Sequence, residues 1–65
     1  MDAIWYSLHY VDIGRHVCGE PILASTDAEA IEKANCILKD LKKKNKIAAI
    51  DEEALLFKPV LVKSW

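Results

Sequence analysis

The stretch that most constrains this chain is 26–45, TDAEAIEKANCILKDLKKKN, because its type, its ends and its buried face all follow from the residues. Thr26 followed by Glu29 forms a capping box, and Asn45 can adopt the left-handed conformation that closes a helix. The apolar side chains fall within an arc of about 120°; they are Ala30, Ile31, Ala34, Ile37, Leu38 and Leu41. The pattern predicts one long amphipathic helix over 26–45.

Sixty-five residues make a single domain, 1–65. A domain this short buries only about 60% of its unfolded surface, so it often depends on a metal, a partner or a second copy of itself. The hydrophobic fraction of 52% with 29% charged residues is typical of a globular chain. A net charge of −1 indicates no bulk attraction to nucleic acid or to an anionic membrane.

Cys18 and Cys36 are too few for a disulfide-stapled secreted scaffold, so both are expected to be free thiols. The start MDAIWYS lacks the basic and apolar regions of a signal peptide. No apolar run reaches the roughly 18 residues that a membrane span needs. These features predict a reduced, cytoplasmic protein without a membrane segment.

Residues 3–11, AIWYSLHYV, are rich in aromatic and β-branched side chains and predict a first strand. Alternation places two sets on opposite faces: Ile4, Tyr6, Leu8 and Tyr10 toward the core, and Trp5, Ser7, His9 and Val11 away from it. A turn follows at 12–14, with Gly14 expected to take a positive φ. Residues 15–24 predict a second strand, which Pro21 confines to a sheet edge or bends.

The hairpin loop leaves two registers open. With a two-residue loop, His9 lies opposite Cys18, and both share the open face with His16 and Glu20. With a three-residue loop at 12–14, the register changes by one, so His16 and Cys18 turn toward the helix while His9 stays outside.

Residues 46–57 are ambiguous. The acidic start at 51–53 favours a short second helix over 51–57, and the competing interpretation is a strand over 46–50. After Pro59, the β-branched run 60–62 predicts the last strand. The predicted fold is therefore α+β, a ββαβ domain whose three-stranded, mainly antiparallel sheet has the order 2-1-3 and carries the long helix on one face. The last strand lies beside the first and runs parallel to the second.

Lysines gather at the end of the helix; they are Lys39, Lys42, Lys43, Lys44 and Lys46. They suggest a basic patch for nucleic acid. Their position is better explained by the helix dipole, which favours cations at the C-terminal end of a helix, and by ion pairs four residues apart, Glu29–Lys33 and Asp40–Lys44. A nucleic-acid-binding domain is usually basic as a whole, and this one is not. Nucleic acid is therefore a possible but disfavoured partner.

His9, His16 and Cys18 are the candidate ligands for a metal such as zinc, but no CxxC or HxxxH spacing accompanies them. Cys36 falls on the polar side of the helix without an adjacent base to activate its thiol. The side chains of Glu52 and Glu53 are neighbours in sequence and so point in different directions, which does not suit a general acid–base pair. There is no glycine-rich phosphate loop. No enzymatic activity and no cofactor are expected.

The sheet face opposite the helix has nothing obvious to cover it. Trp5, His9, Val11, Leu61 and Trp65 are the residues expected there, and tryptophan is enriched among interface hot spots. The sequence therefore favours a small protein–protein interaction module, acting as a homodimer or as a regulatory or inhibitory subunit. The alternatives are a nucleic-acid-binding domain and, third, a small metal-binding protein.

The residues A-S-T-D-A-E-A-I-E-K-A, 24–34, resemble the start of the helix in the small hairpin-plus-helix domains of HicB-type antitoxins. Those domains also show a strand, a threonine and an E-A-hydrophobic start. This chain departs from their proline- and glycine-rich second strand. Capping and amphipathicity already account for the shared residues, so the resemblance implies no functional residue.

Overall fold

The chain folds into two layers, a four-stranded antiparallel sheet with one helix on one face. A computed structural model describes residues 2–48 and 53–65. The elements in chain order are β1 (Ile4–Val11), β2 (Val17–Ala24), α1 (Asp27–Lys43), β3 (Leu55–Lys58) and β4 (Val60–Ser64). The sheet order is β2-β1-β3-β4, and every neighbouring pair is antiparallel.

The α+β class is confirmed, but the sheet has four strands rather than three. A strand, not a helix, occupies 55–58, so the prediction of a helix over 51–57 is wrong for the residues described; 51–52 lie outside them. Leu55, Leu56 and Phe57 alternate between the two faces of the sheet and pair with β1, which a period of two allows. Of the competing strand over 46–50, the described part, 46–48, is not a strand, and 49–50 lie outside.

The extra strand displaces the last one. β3 takes the place beside β1 that was predicted for the final strand, and it points in the same direction as β2 because both are antiparallel to β1. β4 lies at the sheet edge and runs the opposite way. Pro59 separates the two strands, because proline cannot donate a hydrogen bond to a ladder.

The helix ends where the sequence predicts. The hydroxyl of Thr26 accepts a 3.1 Å hydrogen bond from the Glu29 amide, and the Glu29 carboxylate accepts one from the Ser25 amide, also 3.1 Å. At the other end Asn45 has φ 60°. The Lys46 amide donates to the Leu41 carbonyl at 2.8 Å, which is the Schellman arrangement.

The core lies between α1 and the helix-facing side of the sheet. Its buried apolar residues are Tyr6, Leu8, Tyr10, Ile22, Ala24, Ala30, Ala34, Leu38, Ile47, Ala54 and Leu56. The predicted core side of β1 is confirmed except at Ile4, which is 40% exposed at the first position of the strand. Ala30 and Ala34 let the helix backbone approach the sheet closely, since their side chains end at Cβ.

The β1–β2 hairpin settles the register. Tyr10 pairs with Cys18 and His9 with Gly19, so Cys18 lies on the helix side while His9 faces away from it, as the three-residue alternative predicted. The loop is 13–15 rather than 12–14: the Asp12 amide donates to the His16 carbonyl at 2.9 Å. Arg15, with φ 68°, takes the left-handed position expected of Gly14, whose φ is not positive.

Candidate functional site: the open face of the sheet

Four strands present an uncovered face on the side away from α1. Cross-strand register defines this open face as Trp5, Ser7, His9, Val11, Val17, Gly19, Pro21, Leu23, Leu55, Phe57, Leu61 and Ser64. No helix or strand among residues 2–48 and 53–65 packs over it. β4 widens the sheet instead of covering this side.

Three cross-strand pairs make the open face apolar: Trp5–Leu23, Val11–Val17 and Phe57–Leu61. Trp5 is 66% exposed and Val17 is 77% exposed. Each such pair brings two apolar side chains within contact distance on one side of the sheet. Two of the pairs lie at opposite ends of the β1–β2 hairpin and the third lies on β3–β4, so the exposed apolar side chains are placed around the middle of the face.

The middle of the open face is polar but uncharged. Ser7 Oγ and His9 Nε2 lie 2.9 Å apart, and the His9 ring meets Phe57 edge-on with centroids 5.2 Å apart. Gly19 lies opposite His9 and has no side chain, which leaves an open depression there. Glu20 and Lys58, which carry opposite charges, also line this depression.

No member of the open face carries a fixed charge, and His9 is its one ionisable side chain. The face therefore offers dispersion contacts, aromatic edges and a single hydrogen-bonding pair. It has no anchor for a phosphate or for a carboxylate. Its chemistry suits a second apolar surface better than a charged ligand.

Of the five predicted interface residues, Trp5, His9, Val11 and Leu61 lie on the open face, whereas Trp65 does not. Trp65 packs against the core, and its Nε1 donates a 2.8 Å hydrogen bond to Oδ1 of Asn35 on α1. The physical reason is an irregularity in the β3–β4 pairing. Leu61 pairs with Phe57 but Lys63 pairs with Leu56, so an extra residue reverses the alternation before Trp65.

The predicted metal ligands are not brought together. His9 is on the open face, Cys18 is on the helix side, and His16 is exposed at the hairpin end. Within the described ranges no group of three or more histidine, cysteine or acidic side chains has the geometry to hold a metal ion. Cys18 instead lies 3.8 Å from Oδ2 of Asp12, and Nδ1 of His16 lies 3.5 Å from Oδ1.

Asp12 organises the hairpin end through its carboxylate. The His16 amide donates to Oδ1 at 2.8 Å. This hydrogen bond, followed by the charge of a protonated His16, lowers the pKa of Asp12. The arrangement stabilises the loop, and in the described part of the chain the Cys18 thiol contacts the Asp12 carboxylate and the His16 carbonyl.

All five predicted basic-patch lysines are exposed: Lys39, Lys42, Lys43, Lys44 and Lys46. Lys44 pairs with Asp40 at 3.0 Å and Lys33 pairs with Glu29 at 3.2 Å, as predicted for neighbours along the helix. The Ile13 amide donates a 2.7 Å hydrogen bond to the Lys46 carbonyl. This bond brings the hairpin loop, with its Arg15, to the lysine-rich end of the helix.

A polar cluster that the sequence did not indicate joins three elements. The Tyr6 hydroxyl donates to Oδ1 of Asp27 at 2.6 Å, and Nζ of Lys58 donates to the same oxygen at 2.9 Å. The Lys58 ammonium also lies 5.5 Å from the centroid of the Tyr6 ring. These residues are far apart along the chain, so no local spacing signals the cluster.

The cluster shifts the titration of its members. Burial, followed by the hydrogen bond to Asp27, raises the pKa of Tyr6. The hydrogen bonds from Tyr6 and then from Lys58 lower the pKa of Asp27, and the Asp27 carboxylate raises the pKa of Lys58. The group is internally satisfied, so it connects α1 to the sheet and offers no free acid or base for catalysis.

No helix in the described part of the chain is both long enough and apolar enough to span a membrane. Comparison of the chain with protein-family models, with curated proteins and with solved structures found no match.

Proposed function

We propose that this protein is a non-enzymatic protein–protein interaction module that pairs with a second copy of itself through the open face. The observation that carries the proposal is the set of exposed apolar side chains on one face of the sheet, among them Trp5 and Val17 with their cross-strand partners, which no described element covers. Aromatic and large aliphatic side chains at the centre of a patch are the usual anchors of protein interfaces.

The composition of the core supports pairing. Among the described residues, four of the eleven buried apolar side chains are alanines: Ala24, Ala30, Ala34 and Ala54. Alanine adds little to the apolar area removed from water, and the stabilisation scales with that area, about 25 cal/mol per Å². Several of the larger apolar side chains are left on the open face instead. A second copy would bury them and add to the stability of a chain near the lower size limit for independent folding.

Charge and size favour a second copy over a charged partner. Two open faces can meet without like-charge repulsion, because neither carries a fixed charge. The open face spans strands of eight, eight, four and five residues. At about 3.3 Å per residue and about 4.8 Å between strands this is a plane of roughly 400 Å², the size of a small, reversible interface.

Sedimentation equilibrium between about 1 and 100 µM protein tests the proposal, since association depends on concentration. We expect a monomer–dimer equilibrium that Trp5→Lys weakens at least about tenfold, because two ammonium groups would then be buried against apolar surface. Ile13→Lys is the matched control. Ile13 is also 66% exposed, but it lies in the hairpin loop and not on the open face, so dimer formation should be unchanged.

A chain that stays monomeric throughout this range contradicts pairing with itself. The open face would then be assigned to a different protein, and the chain would act as a regulatory or inhibitory subunit.

Nucleic-acid binding is the second candidate, and one contact favours it. The Ile13–Lys46 hydrogen bond adds Arg15 to the basic end of the helix, while Trp5 and Phe57 offer rings on which bases can stack. Fluorescence anisotropy with mixed single-stranded oligonucleotides at several salt concentrations tests it. Affinity that falls steeply with salt and drops with Lys46→Glu would support this function, and salt-independent, weak binding would count against it.

The proposed setting is the cytoplasm. Cys18 and Cys36 are both free thiols, and Cys36 is exposed, which suits a reducing compartment.

A further inference from the structure

We infer that His9 makes self-association pH-dependent, so that the dimer forms when its imidazole is neutral and dissociates when the imidazole is protonated. The inference rests on the proposed pairing through the open face. It names a regulation of that site and the atoms responsible for it.

The position of His9 makes its burial unavoidable in such a pair. Its ring contacts the ring of Phe57, with centroids 5.2 Å apart and planes at 79°. Phe57 belongs to one of the three apolar pairs of the open face. A partner surface that covers Phe57 therefore covers His9 as well and removes water from the imidazole.

No opposite charge on the open face would balance a protonated His9. Its cross-strand neighbours are Gly19 on β2 and Leu55 on β3, and its neighbour along β1 is Ser7. The nearest charged residues on the flanking strands are Glu20 and Lys58, which line the depression but have their pairing positions on the helix side. Lys58 is already paired with Asp27, and Glu20 lies near Tyr10 on the helix side, so neither of them is paired with His9.

The hydroxyl of Ser7 does not favour protonated His9 over neutral His9. Its hydroxyl, 2.9 Å from Nε2, can donate to a neutral ring or accept from a charged one, so the hydrogen bond survives in both states. What changes is the net charge. Burying an unpaired cation in an apolar interface is strongly unfavourable, and two-fold pairing would bury two of them.

Proton linkage fixes the sign of the effect. Histidine is the side chain whose charge ordinarily changes between about pH 5 and 8. If the dimer excludes the charged form, each protomer takes up a proton on dissociation, and lowering the pH favours monomers. On the acid side of the transition the dissociation constant rises by as much as about 100-fold per pH unit, ten for each of two imidazoles.

Few other groups compete in this pH range. Hydrogen bonds from the backbone of His16 and of Ser25 lower the pKa values of Asp12 and Glu29 respectively, and Tyr6 and Lys58 do the same for Asp27. These carboxylates therefore stay ionised between pH 5.5 and 8. The other histidine, His16, is exposed beside Asp12 at the hairpin end, away from the open face.

The test compares dimer dissociation constants at about pH 8 and pH 5.5 by sedimentation equilibrium for the wild type, His9→Gln and His16→Gln. We expect the wild-type constant to rise at least about tenfold at the lower pH. His9→Gln keeps a hydrogen-bonding group without the charge and should lose the pH dependence, whereas His16→Gln should retain it. Circular dichroism at both pH values checks that each variant is folded.

A wild-type dimer equally tight at both pH values overturns the inference and leaves the proposed pairing intact. A wild-type monomer at pH 8 overturns the proposed pairing itself. If His9→Gln does not fold, dilution calorimetry of the wild type near pH 6 in buffers of different ionisation enthalpy decides. Proton uptake approaching about two per dimer supports the inference, and none refutes it.

Discussion

The Tyr6 hydroxyl lies 2.6 Å from Oδ1 of Asp27, so the central strand β1 is hydrogen-bonded directly to the first residue of α1. Lys58 on β3 donates to the same oxygen at 2.9 Å. A single carboxylate thereby connects two strands of the sheet to the start of the helix. This connection gives the domain a specific dependence on acid.

Protonating Asp27 should destabilise the fold. Its folded-state pKa is lowered, first by Tyr6 and then by Lys58, so its contribution is complete above the ordinary aspartate value of about 4 and is lost as the pH falls through the lowered value. Asp27→Asn should therefore reduce stability at neutral pH and flatten the loss of stability in acid. Urea unfolding between about pH 2 and 6 measures both effects.

Asp40→Asn is the control on the same helix, since the Asp40 carboxylate forms an ion pair with the exposed Lys44, four residues later, and makes no contact with the sheet among the described residues. If the free energy of unfolding depends on pH in the same way for both variants, Asp27 has no special role in acid stability.

Arg15→Gly should stabilise the domain by about 0.5–1 kcal/mol. Arg15 has φ 68°, a conformation that costs a residue with a Cβ about 1–2 kcal/mol, and the greater flexibility of glycine in the unfolded chain offsets part of the gain. Thermal or urea unfolding measures it. Arg15→Ala removes the same charge but keeps Cβ, so a comparable gain there would show that charge and not backbone geometry is responsible.

Asn45→Ala should cost about 1 kcal/mol, because Asn45 closes the helix with φ 60° and alanine tolerates that conformation poorly. Asn45→Gly should equal or exceed the wild type. The free energy of unfolding in urea distinguishes the two substitutions. Equal losses for both would point to a role for the asparagine side chain instead of the backbone conformation.

Leu38→Ala should cost about 3 kcal/mol, since Leu38 is fully buried between α1 and the sheet and its removal leaves a cavity. A domain of this size rarely has more than about 3–5 kcal/mol of stability, so the variant should be largely unfolded at room temperature. Far-ultraviolet circular dichroism with urea shows this directly. Cys36→Ala, two residues earlier and exposed, should remain folded.

The helix could be predicted from sequence because its signals are local. The hydroxyl of Thr26, the carboxylate of Glu29 and the left-handed Asn45 lie within or beside the turns that they cap. The apolar side of β1 was predictable for the same reason, except at Ile4. At the first position of the strand, too little structure lies above its side chain to bury it.

The predictions that failed depended on partners distant in sequence. The acidic residues 51–53 imitate a helix start, and only pairing with β1 makes Leu55–Lys58 a strand. Trp65 lies on the helix side of the sheet because the pairing of β4 with β3 is irregular. His9 and Cys18 are not brought together, because hairpin register, set by the loop at 13–15, sends them to opposite faces.

The sequence by itself determined that one capped, amphipathic helix would cover one side of a small sheet, because capping and periodicity act between residues a few positions apart. The tertiary structure alone decided that the sheet has four strands, that His9 lies at the middle of a face without fixed charge, and that Tyr6, Asp27 and Lys58 meet. Register and strand order arise from contacts between distant segments, and a shift of one residue exchanges the two faces of a strand.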